Sequence, residues 1–383
     1  MPRGNQIRVL IVDDSAIVRR ILNDALSGEP DLEVVGTAPD PYVARDKILA
    51  LEPDVLTLDI EMPRMDGLTF LRKLMRYRPM PVVMISSLAQ NSCKVALEAM
   101  ELGAVEVLAK PGGPYSVGEL RETLAAKIRA AAASRIRPKP SGTAATSATP
   151  TPNPPYSTIA SITSTSTLHP HSIIAIGAST GGTEAIANVL RVFPKDSPGV
   201  VVVQHIPSGF SRAFAHRLND MCAIEVREAE DGDVLHPGLA LVAPGDFHML
   251  VRKSGGSYLV NVKSGPRVCY QRPSVDVLFF SVAEAAGSFA TGSLLTGMGA
   301  DGAQGLLKMR QAGAHTFAQD EASCVIFGMP REAIQLGAAE KVLPLDRIAP
   351  SLLAACHDLR RAPDPVASAA SMPSKAGRDH TAL

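Results

Sequence analysis

The sequence predicts two α/β domains with parallel sheets, the second doubly wound, joined by a linker with no period of its own. Three observations carry this. Between residues 7 and 130, short β-branched runs alternate with helical patterns, as βα units do. From about Ser134 to Pro170 the chain turns to Ser, Thr, Pro and Ala. From His171 the alternation resumes, opening on SIIAIGASTGGTEAIANVL (172–190), with a serine in a glycine-dense turn. The expected divisions of the 383 residues are a first domain over 1–130, a linker over 131–170, a second domain over 171–360 and a disordered tail over 361–383.

In the first domain the strands fall at Arg8–Val12, Leu32–Thr37, Asp54–Leu58, Val82–Ile85 and Val105–Leu108. Ser15 can cap a helix over Ala16–Leu26, and an alanine-rich helix closes the domain over residues 120–133. The polar residues gather at strand ends: Asp13 and Asp14, Asp59, Ser86, and Lys110 before Pro111. In open parallel sheets ligands bind outside the carboxyl ends of the strands. Three carboxylates there would repel one another unless a hard divalent cation joined them, and Mg²⁺ suits oxygen ligands. Lys110 adds a point charge suited to phosphate and Ser86 a hydroxyl. The set suits in-line phosphoryl transfer to a carboxylate. Any one of these aspartates alone reads as a cap or a solvated charge; the ordered set at successive strand ends is the specific signal.

The linker, if flexible, spans an r.m.s. distance of ~30–35 Å. Beyond it, Ile173–Ile176 reads as a buried strand and Thr183–Leu190 as a helix. The turn between them, Gly177-Ala178-Ser179-Thr180-Gly181-Gly182, fits the G-x-S-x-G nucleophile elbow. It nearly fits the dinucleotide fingerprint, but Ser179 stands where a glycine should admit a pyrophosphate, and the next strand, Val200–Val203, ends in Gln204-His205 with no acid. A structural glycine turn with an idle serine is the third reading. A later strand, Thr291–Leu295, runs into TGMGADG (296–302) and a helix through Leu306, Leu307 and Met309. Ser179, His205 and Asp301 thus lie just past three strand ends, as a nucleophile, a base and an orienting acid would. Met298 can present a backbone N–H to an oxyanion. His205 could instead be structural and Asp301 a helix cap. Of the other histidines, His216 sits on a helical run, His236 in a turn, and no strand delivers His248 to the serine.

Composition bounds the function. Lys+Arg and Asp+Glu both number 38, so there is no broad electrostatic footprint for nucleic acid. The five cysteines are scattered, without C-x-x-C, as expected in a reducing cytosol and not in a zinc site. No signal-peptide core or apolar run of about 18 residues is present, so a cytoplasmic location without membrane insertion is expected.

The strand-end set, with MPRMDG (62–67) after Asp59, resembles the receiver domain of two-component response regulators over about residues 6–125. The resemblance implies a flavodoxin-like fold, Asp59 as phosphoacceptor, Mg²⁺ held by Asp13, Asp14, Asp59 and the backbone at Glu61, and Ser86 and Lys110 reading the phosphoryl group. Val107 stands where many receivers place an aromatic switch residue. The second domain resembles the catalytic domain of the chemotaxis protein-glutamate methylesterase family, CheB, through IGASTGGTEAI (176–186), VQHIPSGF (203–210), APGDFHM (243–249), RPSVDVLF (272–279), LLTGMGADG (294–302) and AQDEASCVIFGMP (318–330). That resemblance implies a Rossmann-like hydrolase with Ser179 as nucleophile, His205 as base, Asp301 as its partner, and Thr180 and Met298 near the oxyanion, with no cofactor for the esterase. It implies glutamate methyl esters and specific glutamines of chemoreceptor cytoplasmic helices as substrates, a chemotaxis histidine kinase as phosphodonor, a monomer, and an unphosphorylated receiver that covers the active-site face. The alternatives are a receiver-linked, non-enzymatic receptor-binding adaptor, and a DNA-binding regulator, for which the chain shows neither a basic surface nor a helix-turn-helix.

Overall fold

A computed structural model describes residues 6–87, 90–110, 117–135 and 171–358. The expected linker beyond residue 135, the tail from 361 and Pro111 lie outside these residues. In the first domain β1 (Ile7–Val12), β2 (Leu32–Ala38), β3 (Val55–Asp59), β4 (Val82–Ser86) and β5 (Glu106–Ala109) alternate with α1 (Ala16–Leu26), α2 (Pro41–Leu51), α3 (Gly67–Tyr77), α4 (Gln90–Glu101) and α5 (Val117–Ala133). Helix α5 thus continues three residues past 130, into the stretch assigned to the linker. The sheet is parallel in the order β2-β1-β3-β4-β5, so β1, β3 and β4 deliver Asp13, Asp59 and Ser86 to one edge. Ser15 caps α1 through a hydrogen bond from Val18 N, as its position predicted.

The second domain opens with β6 (Ile173–Ala178), α6 (Gly182–Leu190), β7 (Gly199–Gln204), α7 (Phe210–Met221) and β8 (Glu225–Glu228). Short β9 (Val234–Leu235), β10 (Leu239–Val242), β11 (His248–Ser254) and β12 (Ser257–Lys263) follow, then α8 (Val275–Ala286), β13 (Ala290–Leu294) and α9 (Ala303–Gln311). The described part ends with β14 (His315–Gln319), α10 (Met329–Gln335), β15 (Lys341–Leu343) and α11 (Leu345–Asp358). The main sheet runs β15-β14-β13-β6-β7-β10-β8, all parallel, and β11-β12-β9 form a small antiparallel sheet beside it. Strand β6 is the pivot: later strands add outward through β7 on one side, then the chain returns to add β13 on the other. Such a reversal opens a crevice at the carboxyl ends of the strands. The strands flanking it are buried on both faces, Ile173–Ala178 completely, which is why they read as unbroken apolar runs.

The two domains touch. Helix α4 packs on α7 and α6, and one apolar cluster joins Leu97 and Met100 of α4 to Phe214 and Leu218 of α7.

Candidate active site

The turn after β6 puts Ser179 over the pivot. Gly181 takes a left-handed φ of 77°, and a Cβ on Gly182 would lie 2.1 Å from Gln204 Oε1. The chain can therefore turn sharply against β7 only with glycines here. Gln204 Nε2 donates to the Ser179 carbonyl at 2.8 Å, and Ser179 N donates to Thr296 O at 3.0 Å. The loop after β13 passes directly over the serine: a Cβ on Gly297 would come within 2.7 Å of Ser179 Cβ.

His205 follows β7, and its buried ring binds Asp301 Oδ2 through Nε2 at 2.7 Å. A carboxylate accepts only, so Nε2 carries the proton and Nδ1 is the lone-pair nitrogen. Nδ1 is buried and has no hydrogen-bond partner among the described residues. The ring is thus held at one nitrogen and free at the other.

Asp301 is surrounded by donors. Besides His205, Val275 N reaches Oδ2 at 2.8 Å, and Ser274 Oγ and Asp276 N reach Oδ1 at 2.8 and 3.0 Å. It therefore sits at the N-terminus of α8, where free N–H groups favour negative charge. Burial pushes its carboxyl up, but the His205 hydrogen bond and charge and the α8 amides outweigh burial and hold it below the ordinary value. The cap reading of Asp301 is half right: it caps α8, not the helix that follows it, whose N-cap is Gly302. Ser274 and Gln204 escaped the sequence reading. Ser274 carries the usual mark of an N-cap before an apolar helix, but nothing in its spacing linked it to Asp301.

Around the serine, the backbone N–H groups of Thr180 and Met298 make no hydrogen bond among the described residues. Both therefore remain available as oxyanion donors. Thr180 Oγ1 donates instead to the first domain, to Glu106 Oε2 on β5 at 2.8 Å. Lys127 Nζ of α5 lies 2.6 Å from the same oxygen. Nearby, Arg217 of α7 bridges Glu101 of α4 (2.7 Å) and Glu184 of α6 (2.6 Å). Arg135 N also donates to Val325 O at 3.3 Å. The α4–β5–α5 face of the first domain thus lies against the turn that carries Ser179. His216 and His236 are exposed and stand apart from this cluster. His248 opens β11, and its ring hydrogen bonds run to Ser274 N, at the start of α8, and to Pro266 O, with none to Ser179 among the described residues.

The first domain's edge brings together Asp13, Asp14 and Asp59, whose carboxylate oxygens lie within 4.8 Å of one another. Asp13 and Asp59 are fully buried and Asp14 is exposed. Lys110 Nζ lies 2.8 Å from Asp59 Oδ2 and 3.4 Å from Asp13 Oδ2, as an ion pair outside hydrogen-bonding direction. Both Oδ2 atoms are buried without a hydrogen bond. Burial, with the charge of Asp13, pushes the Asp59 carboxyl up to about 6 against Lys110 and the Glu61 N–H. Burial likewise raises Asp13. Orphaned oxygens converging on one point are what a divalent cation with oxygen ligands requires, so the residues fit Mg²⁺. The Ser86 hydroxyl points away, donating to Ser87 O at 3.1 Å and Ser92 O at 3.3 Å. Val107 is buried in the core, while its neighbour Glu106 makes the contact to Thr180.

Comparison with known proteins places the chain in a family. The CheB methylesterase family profile matches residues 174–352 and the response regulator receiver domain profile matches residues 9–124. A protein-glutamate methylesterase/protein-glutamine glutaminase 2 of Syntrophus aciditrophicus (strain SB) is 56% identical over 349 residues, covering 91% of this chain and 99% of that one. A protein-glutamate methylesterase/protein-glutamine glutaminase 4 of Anaeromyxobacter dehalogenans (strain 2CP-C) is 54% identical, covering 91% and 94%. The crystal structure of the Thermotoga maritima CheB methylesterase catalytic domain matches with a TM-score of 0.47 at 38% identity, covering 48% of this chain and 97% of that one. The names of the two curated relatives describe enzymes, and with the family match they favour catalysis over a binding-only adaptor. No described helix is long and apolar enough to cross a membrane. The chain belongs to the CheB protein-glutamate methylesterase family, with a response-regulator receiver domain ahead of its catalytic domain.

Proposed function

We propose that the second domain hydrolyses glutamate methyl esters, and deamidates specific glutamines, on the cytoplasmic helices of chemoreceptors during chemotactic adaptation. The observation that carries this is the buried His205–Asp301 pair, with Nε2 committed and Nδ1 free, on a segment whose His205 N donates to the carbonyl of Ala178, the residue before Ser179, at 3.1 Å. Ser179 Oγ attacks the γ-carbonyl carbon and its proton passes to His205 Nδ1. Asp301 stabilises the imidazolium and fixes its orientation. The N–H groups of Thr180 and Met298 receive the oxyanion. Collapse breaks the bond to methoxide, or to the amide nitrogen of glutamine, and Nδ1–H returns the proton, releasing methanol or ammonia. Water then repeats the sequence on the acyl-serine and leaves glutamate.

The receiver regulates this step. Asp59 accepts the phosphoryl group from a chemotaxis histidine kinase. Asp13, Asp14, Asp59 and the Glu61 backbone would hold Mg²⁺, which neutralises the charge of the transfer, while Lys110 and a reoriented Ser86 bind the phosphoryl oxygens. The contact from Glu106 to Thr180 supports a receiver that covers the site when unphosphorylated, and Val107 leaves that coupling without an aromatic flip. The protein acts in the cytoplasm as a monomer, and the esterase needs no cofactor.

Methanol release from a methylated chemoreceptor tests the proposal. Hydrolysis by wild type and none by a folded Ser179→Ala supports it, and near-wild-type release by Ser179→Ala sinks it.

A further inference from the structure

We propose that His248 is a positioning residue for the esterase: it holds the start of α8 so that Asp301 keeps His205 in register. The proposal rests on the triad reading above and adds a residue that never meets substrate.

His248 is 6% exposed at the head of β11. Its Nε2 lies 2.9 Å from Pro266 O, and its Nδ1 lies 3.2 Å from Ser274 N. A carbonyl only accepts and an amide only donates, so the ring is neutral with its proton on Nε2. Ser274 is the N-cap of α8 (φ −111°, ψ 138°), and its hydroxyl donates to Asp301 Oδ1. The next two residues give the carboxylate its remaining backbone donors. Three of the four bonds to Asp301 therefore come from Ser274–Asp276, and His248 secures that segment from behind.

The loop at Gly265 lies against the ring. A Cβ on Gly265 would stand 3.4 Å from His248 Cδ2, and Arg272 Nη1 donates to Gly265 O at 2.7 Å. If His248 cannot accept, Ser274 N–H is a buried donor without a partner, and α8 relaxes toward another acceptor. The Asp301 donors move with it. A misplacement of this kind slows the chemical step much more than it weakens binding.

The test compares His248→Leu, which cannot accept, with His248→Asn, whose side-chain oxygen can stand in for Nδ1. In the full-length chain, kcat for methanol release from a methylated chemoreceptor should fall at least tenfold in His248→Leu, with KM changed less than twofold. His248→Asn should recover most of the loss. The downfield imidazole proton of the His205–Asp301 bond, followed by NMR on histidine-labelled protein, should shift or broaden in His248→Leu and persist in His248→Asn. A folded His248→Leu with wild-type kcat and an unmoved proton overturns the proposal. If His248→Leu does not fold, Ser274→Ala is the second variant: it removes the hydroxyl bond to Asp301, and an unmoved proton there overturns the proposal equally. Failure of the triad reading looks different, as persistent hydrolysis by Ser179→Ala.

Discussion

Asp59 and Asp301 are both buried, both stand at the carboxyl edge of a parallel sheet, and are in opposite electrostatic states. Asp301 takes four donors, two of them from the start of a helix, and stays below the ordinary carboxylate value. Asp59 has an orphaned Oδ2, a second buried acid beside it and one lysine, and is pushed up to about 6. Burial penalises both charges; what differs is the hydrogen bonding of the charged form. The fold has one acid completed by its own backbone, which holds the His205 ring. The other is left incomplete, and a cation and a phosphoryl group can complete it. The first arrangement suits constant catalysis and the second suits a switch.

The largest expected effect comes from neutralising the complete acid. In Asp301→Asn the amide NH₂ turned to His205 forces Nε2 to accept, which moves the ring proton to Nδ1 and removes the base. We expect kcat to fall by about 10⁴ with the fold retained. Equal losses in the Ser179→Ala/Asp301→Asn double variant and in Ser179→Ala alone would show that the residues act as a unit. Additive losses would break that view.

Neutralising the incomplete acid should stabilise the protein. A rise from 3.8 to about 6 corresponds to roughly 3 kcal/mol against the native state above pH 6, at about 1.4 kcal/mol per unit. That net rise already includes the opposing Lys110 ion pair, so Asp59→Asn should gain up to about 3 kcal/mol without metal. The penalty is absent below about 3.8 and complete above about 6, so metal-free wild type should gain stability from pH 7 down to 5, and Asp59→Asn should not. Asp301 behaves oppositely: its contribution is complete above 3.8 and lost only as pH falls through its lower native value, so it stays flat over that window. Thermal unfolding with and without Mg²⁺ reads this directly. The metal should raise the wild-type midpoint and leave Asp59→Asn unmoved. Asp59→Asn should also abolish stimulation by a phosphodonor while basal activity stays low.

The smallest effect lies between the two sites. Arg217→Ala removes the bridge from α4 to α6, and Glu106→Ala removes the partner of Thr180. Each should loosen the docked receiver by about 1 kcal/mol, raising basal methanol release about fivefold. Deleting residues 1–133 should raise it further. If neither variant nor the truncation is faster than the unphosphorylated full-length chain, occlusion is wrong.

Much of this was legible in the sequence because parallel sheets write their sites at strand ends. Asp13, Asp59 and Ser86, then Ser179, His205 and Asp301, each follow an apolar run, and the topology brings them to shared edges. Which nitrogen of His205 pairs with Asp301 was not legible, since a sequence carries no ring orientation. Nor was the cradle around Asp301: Ser274 and His248 reach it through α8 and β11, long-range placements that no local spacing encodes. Glu106 hid for a similar reason. Within a β5 run it reads as an ordinary strand residue, and only the docked second domain gives it a partner in Thr180.

The most direct test of the division between the two acids is the rate at which a fluorophosphonate labels the full-length chain, with the site located by mass spectrometry. We predict a single adduct on Ser179, formed faster in the presence of Mg²⁺ and a small phosphodonor, slowed by orders of magnitude in Asp301→Asn, and insensitive to the donor in Asp59→Asn. An adduct on another residue, or a rate unchanged in Asp301→Asn, would contradict the account.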